Sequence, residues 1–245
     1  MDSDDFPRGR VLTRREALAV LGATGAVVLS GGALRGATTS DTTGVVTSCV
    51  ARPRETQGPY FVDEKLERTD IRSDPSDGTV KAGALLELTF NVSRAVSNGC
   101  TPLAGVLVDV WHCDVLGVYS DVSDPGFNTV GKKFLRGYQV TDAIGAARFT
   151  TIYPGWYQGR TVHIHFKIRS APSSGAGFEF TSQLYFDDAL TDRVHAQQPY
   201  ARKGPRARRN AGDGIYRQNG AQLLLVVNRS AAGYAATFGI ALQTV

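Results

Sequence analysis

Two histidines stand two residues apart in the segment VHIHFKI, at His163 and His165. The segment is rich in β-branched and aromatic residues, which predicts a β-strand, and residues two apart in a strand project to the same face. The two imidazoles would therefore lie side by side, as a metal chelate requires. By itself this spacing also suits two packed histidines, and zinc or copper would fit it as well as iron.

Two tyrosines beside turns supply a second set of donors. Tyr157 follows a Pro-Gly turn, and Tyr119 follows Gly117. Aromatic residues beside such turns commonly pack in a core, so this pattern alone favours a packing role. A tyrosinate is nevertheless a hard anionic donor, so a metal-binding role for the two tyrosines stays open at this point.

The segments that must position these side chains are short and mostly alternating. Hydrophobic residues make up 42% of the chain and charged residues 20%, so a sizeable core can be buried. Turn residues separate the predicted strands, which cover 85–92, 105–113, 147–153, 162–168, 182–186 and 222–230, and the best helical window is 187–198. We therefore predict one all-β domain over 49–245, a β-sandwich with few short helices and a long N-terminal arm.

The first 48 residues are predicted to lie outside that domain. Residues 1–37 combine Arg14 and Arg15 with an apolar stretch too short to span a bilayer and a run of small residues. This order predicts a twin-arginine export signal, although a buried N-terminal helix of the mature fold is the alternative. The Thr-rich residues 38–48 predict a flexible tether. Export predicts a periplasmic or extracellular protein without stable membrane insertion.

The cysteines and the basic residues carry weaker signals. Three cysteines are too few for a disulfide scaffold and lack a C-x-x-C zinc pair. Spacing allows three pairings; for an oxidising compartment we hypothesise a Cys49–Cys100 bridge with Cys113 free. The net charge of +4 is mild, and the basic segment 202–209 favours a solvated loop over an anion patch, so no nucleic-acid partner is predicted.

Taken together, residues 103–166 resemble the intradiol ring-cleavage dioxygenases, the family of catechol, hydroxyquinol and protocatechuate dioxygenases. The motifs that carry the resemblance are W-x7-Y at 111–119, P-G-x-Y at 154–157 and R-x-x-H-x-H at 160–165. The arm segment ETQGPYF at 55–61 and the glutamine of SQLYF match two further family features, so that the resemblance covers residues 49–190. It implies a non-haem Fe(III) centre whose ligands are Tyr119, Tyr157, His163 and His165.

The resemblance also implies a reaction. The enzyme would cleave a catechol-type ring between its two hydroxyl-bearing carbons with dioxygen, giving a muconate-type diacid. Tyr157 would release the metal when the small aromatic diol binds and accept a substrate proton, while Arg160 and Gln183 would stabilise negative charge on the substrate. Members of the family commonly form dimers or larger assemblies, which leaves a homo-oligomer open here. The alternative function is an exported metal-binding or carbohydrate-binding β-sandwich without catalysis.

Overall fold

The structure is a computed structural model, and it describes residues 49–171 and 177–243. The strands are β1 (Leu85–Val96), β2 (Gly99–Pro102), β3 (Val106–Trp111), β4 (Ser123–Asp124), β5 (Phe127–Asn128), β6 (Arg136–Val140), β7 (Ala146–Ile152), β8 (His163–Ser170), β9 (Glu179–Tyr185), β10 (Val227–Arg229) and β11 (Tyr234–Leu242). The helices are α1 (Asp188–His195) and α2 (Tyr216–Asn219), with single 3₁₀ turns at Tyr200–Lys203, Asn210–Gly212 and Gly220–Leu223. The predicted export signal and tether, residues 1–48, lie outside the described residues.

The strands form two main sheets. One has the order β10-β11-β1-β2, with β7 also paired to β1, and its β1–β11 pair is parallel. The other has the order β6-β3-β8-β9 and is antiparallel throughout. A small hairpin of β4 and β5 stands apart from both. The prediction of an all-β sandwich is confirmed.

The core lies between the inner faces of the two sheets. Phe90 of β1 and Phe166 of β8 come from different sheets, and their ring centroids are 5.2 Å apart. Phe149 and Phe238 surround Phe90 at 6.1 and 6.0 Å. All four rings are buried, and burying such a side chain contributes about 1.5–3 kcal/mol. This aromatic cluster fixes β8 in place, and with it the histidines on the opposite face of that strand.

The outer face of the second sheet is covered by the N-terminal arm, which explains why β3 and most of β8 are buried on both faces. The Lys167 ammonium lies 4.1 Å from the centroid of the Phe61 ring, and Arg169 pairs with Asp63 at 2.9 Å. The backbone amide of Glu55 donates to the carbonyl of Thr181 on β9 at 3.1 Å. The polar residues that alternate along β8 therefore face the arm instead of bulk solvent.

The arm is tied to the first sheet by a disulfide. Cys49 and Cys100 are bonded, as hypothesised, and Cys113 is free and buried. Because Cys100 lies in β2, this bond anchors the beginning of the arm to a strand pair.

Two sequence predictions need correction. The strand predicted over 222–230 is confined to 227–229, because Gly220–Leu223 forms a 3₁₀ turn and the chain pairs with β11 only beyond it. Arg206 departs from the predicted solvated loop, since its side chain is 5% exposed and pairs with Asp188 and Asp192 on α1. Arg202, Arg208 and Arg209 are exposed, as the prediction of a solvated loop requires. Within the described residues, no helix has the length and apolar character needed to cross a membrane.

Candidate active site

The two histidines lie on the outer face of β8. Ile164 and Phe166 point into the core, so the alternation of the strand places His163 and His165 together on the other face, where both are buried. Their Nε2 atoms are 3.1 Å apart. Strand formation therefore places the two imidazoles side by side on one face.

The neighbouring strands complete a row of side chains across this sheet. His165 is the register partner of Trp111 on β3 and of Gln183 on β9, and His163 is the partner of Tyr185. The Trp111 indole stacks on the His165 imidazole with 5.0 Å between centroids and 7° between planes. The rotation of the His165 ring is thus fixed by packing.

Two loops that pack against each other bring in the tyrosines. Gly117 has a φ of +80°, and a Cβ there would overlap the Trp156 carbonyl. A Cβ on Gly155 would overlap carbonyl oxygens of the first loop, and the amide of Gly155 donates to the Asp114 carbonyl at 3.2 Å. Since both glycines permit this close backbone contact, Tyr119 and Tyr157 reach the same side of β8.

The four predicted ligands converge in the structure. The Tyr157 hydroxyl lies 3.2 Å from Nε2 of His163. The Tyr119 ring lies 5.7 Å from the Tyr157 ring and 6.2 Å from the His165 ring. Two phenol oxygens and two imidazole nitrogens therefore surround one small volume.

The protonation states favour neutral imidazoles. Nδ1 of His163 lies 2.6 Å from the Thr161 carbonyl, so Nδ1 carries the proton and Nε2 keeps its lone pair. Burial, together with the charge of Arg160, lowers the pKa of His163 to about 3. Burial also lowers the pKa of His165 well below its usual value, and the neighbouring His163 adds to this effect. Both rings are neutral at physiological pH, which is the form that coordinates metals.

The two phenols, unlike the imidazoles, must lose a proton before they can coordinate a metal ion. Burial raises the pKa of Tyr119 well above its usual value, with Tyr157 as a further cause, and burial likewise raises the pKa of Tyr157. Neither phenol ionises in this pocket near neutral pH unless a cation compensates the phenolate charge. The Tyr119 hydroxyl is buried, faces Tyr157 and makes no hydrogen bond of ordinary geometry.

These observations fit a hard, highly charged metal ion. A buried hydroxyl without a partner costs about 1–3 kcal/mol, which metal coordination would remove. The described residues contain no group of three or more His, Cys, Asp or Glu side chains that could hold a metal, so the donor set here differs from common zinc sites. Two tyrosines with two histidines match the hard-donor preference of a trivalent cation such as Fe(III).

Arg160 and Gln183 lie together beside the four donors. Nη2 of Arg160 donates to Oε1 of Gln183 at 2.6 Å, and Nε2 of Gln183 donates to the Thr56 carbonyl at 2.9 Å. Nε of Arg160 donates to the Asp213 carboxylate at 2.8 Å. The guanidinium is therefore held from two sides. Nη2 also donates to the Tyr185 hydroxyl at 3.5 Å, so that Nη1 is the group without a hydrogen bond to the described residues.

Sequence reasoning missed three contributors. Asp213 is 1% exposed. Its sequence context predicts only the start of an Asp-Gly turn, because no pattern in the chain indicates that it pairs with Arg160. Tyr185 was predicted within a strand but without a role, although its spacing of two from Gln183 places it on the same face. Glu55 was noted only as part of the arm motif, yet its carboxylate lies 2.5 Å from the Tyr185 hydroxyl.

Tyr60 of the arm covers the tyrosine side of the site. Its ring stacks on Tyr119 with 4.5 Å between centroids, and its hydroxyl donates to Asp124 of β4 at 2.8 Å. Arg136 donates to the Tyr60 carbonyl at 3.3 Å. The arm is therefore held against the site by both backbone and side-chain contacts.

Two tyrosines and two histidines converge under the N-terminal arm of this β-sandwich, and comparison with known proteins identifies the fold as that of dioxygenases. Residues 56–204 match the family profile described as Dioxygenase. Catechol 1,2-dioxygenase 2 of Acinetobacter lwoffii is 33% identical over 161 residues, which cover 55% of this chain and 51% of that protein. The protocatechuate 3,4-dioxygenase beta chain of Burkholderia cepacia is 30% identical over 168 residues, covering 65% of this chain and 68% of that protein.

The solved structures give the same result. The intradiol ring-cleavage dioxygenase from Tetranychus urticae superimposes with a TM-score of 0.68 at 29% identity, covering 80% of this chain and 95% of that one. The chain therefore belongs to the intradiol ring-cleavage dioxygenase family. It spans only about half the length of the Acinetobacter relative.

Proposed function

We propose that this protein is an Fe(III)-dependent intradiol dioxygenase. It would cleave a catechol-type ring between the two hydroxyl-bearing carbons with dioxygen, giving a muconate-type diacid. The observation that carries the proposal is the convergence of Tyr119, Tyr157, His163 and His165 around one volume, with the Tyr119 hydroxyl left without an ordinary hydrogen bond. These four side chains would hold the metal.

The bound ferric ion would supply Lewis acidity toward the diol and make the ring reactive toward dioxygen. The protein supplies the remaining steps. Neutral Nε2 atoms of His163 and His165 are held in place by the Thr161 carbonyl and by stacking on Trp111. They would remain bound throughout turnover.

The two tyrosines differ in their freedom to move. Tyr119 is 1% exposed and lies under Tyr60, whereas Tyr157 is half-buried in its loop. This difference supports Tyr157 as the ligand that leaves when substrate binds. The freed phenolate oxygen would then accept a proton from a substrate hydroxyl.

Arg160 and Gln183 would act on charge that develops on the substrate. Arg160 is fixed by Asp213 and Gln183, so its Nη1 group would need no reorganisation when negative charge forms. Loss of one preorganised donor of this kind costs about 3 kcal/mol in other enzymes. The partners of the proposed reaction are a small aromatic diol and dioxygen.

Location and assembly are also proposed. A disulfide in the described domain supports maturation in an oxidising compartment, in agreement with the predicted twin-arginine export. Formation of a homo-oligomer stays a prediction.

The direct test is the purified protein. Iron-loaded protein should be reddish, contain about one iron per chain as expected for a single four-donor site, and consume dioxygen when given catechol, hydroxyquinol, protocatechuate or a larger diol. Protein that binds iron but consumes no dioxygen with any of these would favour the non-catalytic binding alternative. Protein that stays colourless and inactive after iron reconstitution would refute the site.

A further inference from the structure

A line of hydrogen-bonded side chains leads away from the proposed ligands toward the arm. Nη2 of Arg160 donates to Oε1 of Gln183 at 2.6 Å, and the Tyr185 hydroxyl lies 3.1 Å from the same oxygen. The Tyr185 hydroxyl also lies 2.5 Å from Oε2 of Glu55. The line therefore connects an arm carboxyl to the Arg160 guanidinium.

The Tyr185 hydroxyl has one proton and two acceptors within reach. An ionised Glu55 accepts the hydrogen bond from the Tyr185 hydroxyl, because a carboxylate is the stronger acceptor and hydrogen bonds to it are short. The oxygen of Gln183 then keeps only the donor from Arg160. If Glu55 is protonated, its own O–H donates to the Tyr185 oxygen, and the Tyr185 proton turns to Gln183.

The surroundings of Glu55 make both states accessible. Burial raises the pKa of its carboxyl to about 7, while the Tyr185 hydrogen bond and the charge of Arg160 lower it and the charge of Asp213 raises it. Oε1 of Glu55 is buried without a hydrogen-bond partner. The neighbouring Arg54 packs its guanidinium on the Phe180 ring at 4.9 Å from the centroid.

We propose that Glu55 is a positioning residue of the site, acting through the Tyr185 hydroxyl on Gln183 and Arg160. The inference rests on the proposed function. Protonated Glu55 leaves Gln183 with two donors and Arg160 with Asp213 as its carboxylate partner. Ionised Glu55 draws the Tyr185 hydrogen bond away from Gln183, so the Gln183 oxygen accepts from Arg160 alone and offsets more of the guanidinium charge that would otherwise stabilise negative charge on the substrate.

The experiment compares Glu55→Gln with the wild type on iron-loaded protein across the pH range. A glutamine amide copies the neutral carboxylic acid but not the carboxylate. The ratio of kcat for the variant to kcat for the wild type should be near one at about pH 6 and rise about threefold to tenfold at about pH 8. Taking the ratio removes ionisations that both proteins share, such as those of the substrate.

Four further measurements separate positioning from a structural effect. In a Tyr185→Phe background the ratio should lose its pH dependence, because the path from Glu55 to Gln183 is interrupted. Glu87→Gln, the same change at an exposed position of β1, should give a ratio that does not vary with pH. Iron content and the visible band should equal those of the wild type. In metal-free protein, the infrared band of a protonated carboxyl should disappear near neutral pH, and Glu55→Gln should lack that band.

The outcomes are distinguishable. A ratio that is flat across the range, or that keeps its pH dependence in the Tyr185→Phe background, overturns the inference while the proposed function stands. Loss of iron in Glu55→Gln overturns it too, because the residue would then be structural. A wild-type protein that binds iron without consuming dioxygen overturns both.

Discussion

Replacing Asp213 with asparagine should destabilise the protein and the site together. The Asp213 side chain is 1% exposed, and its Oδ2 accepts from Nε of Arg160 and from the Thr161 amide, each at 2.8 Å. Its Oδ1 accepts from the amides of Ile215 and Tyr216 at 2.8 and 3.1 Å. An asparagine can keep its hydrogen bonds from Ile215 and Tyr216 only if its NH₂ group faces the Arg160 and Thr161 donors, which then lose their acceptor.

The magnitude follows from this geometry. Removing one partner of a buried ion pair costs about 3–5 kcal/mol, and the 16% exposure of the Arg160 side chain places the expected loss near the lower limit, about 3 kcal/mol. For a domain of this size that loss lowers Tm by about 6–12 °C. Because Arg160 loses its anchor, kcat should fall more than KM rises.

The pH dependence has a definite sign. Burial alone would raise the pKa of Asp213, but hydrogen bonds from Thr161 and Arg160 bring it below its usual value. A carboxyl with a lowered folded-state pKa stabilises the fold above its unfolded pKa, about 3.9, and loses that contribution as the pH falls through the folded value. The difference in unfolding free energy between wild type and variant should therefore have its largest value near neutral pH and become smaller below about pH 4.

Asp142→Asn is the matched control. Asp142 also accepts from two backbone amides and an arginine, but its pair with Arg148 is exposed, with side-chain exposures of 42% and 57%. Its loss should cost less than about 1 kcal/mol. Urea unfolding with unchanged m-values measures both variants. If Asp213→Asn unfolds within about 1 kcal/mol of the wild type, the claim that Asp213 anchors the site is wrong.

Three further predictions concern the metal donors, the tyrosine loops and the arm. His163→Ala should abolish iron retention, measured as metal per chain after gel filtration, while the metal-free variant stays folded by circular dichroism. Gly117→Ala should lower the unfolding free energy by about 2 kcal/mol more than Gly131→Ala. Both glycines have positive φ, but only a Cβ at Gly117 meets the Trp156 carbonyl, and equal losses in urea would contradict this. Cys100→Ser removes a bond that closes a separation of 51 residues and should cost about 2–4 kcal/mol, with faster proteolysis of the arm; an unchanged rate would show that the arm is held without it.

The sequence predicted the parts of the fold that depend on local alternation. The strand around His163 and His165 was identified because period-two alternation places both imidazoles on one face. β6 and β11 were missed: Gly137 interrupts the first, and in the second the positions that alternate with the core residues hold Ala235, Gly239 and Ala241, so few polar residues mark the alternation. Their positions follow from pairing with β3 and β1, which are contacts distant in sequence.

The site was predictable to the extent that its motifs are local. The turns before Tyr119 and Tyr157 are visible in the chain, but the close packing of the two loops, which brings the tyrosines together, is not. Asp213 lies 53 residues from Arg160, so no periodicity relates the two. Glu55 and Tyr185 meet only because the arm folds across β9, and sequence pattern alone does not indicate that path.

The central claim is tested most directly by supplying isotopically labelled dioxygen to the iron-loaded protein with each of catechol, hydroxyquinol, protocatechuate and a larger diol, and analysing the products by mass spectrometry. The account predicts a muconate-type diacid that contains both labelled oxygen atoms, formed only when iron is present. The account would be contradicted by a product whose ring is opened at a bond other than the one between the two hydroxyl-bearing carbons. A product with no label, or the absence of any product, would also contradict it.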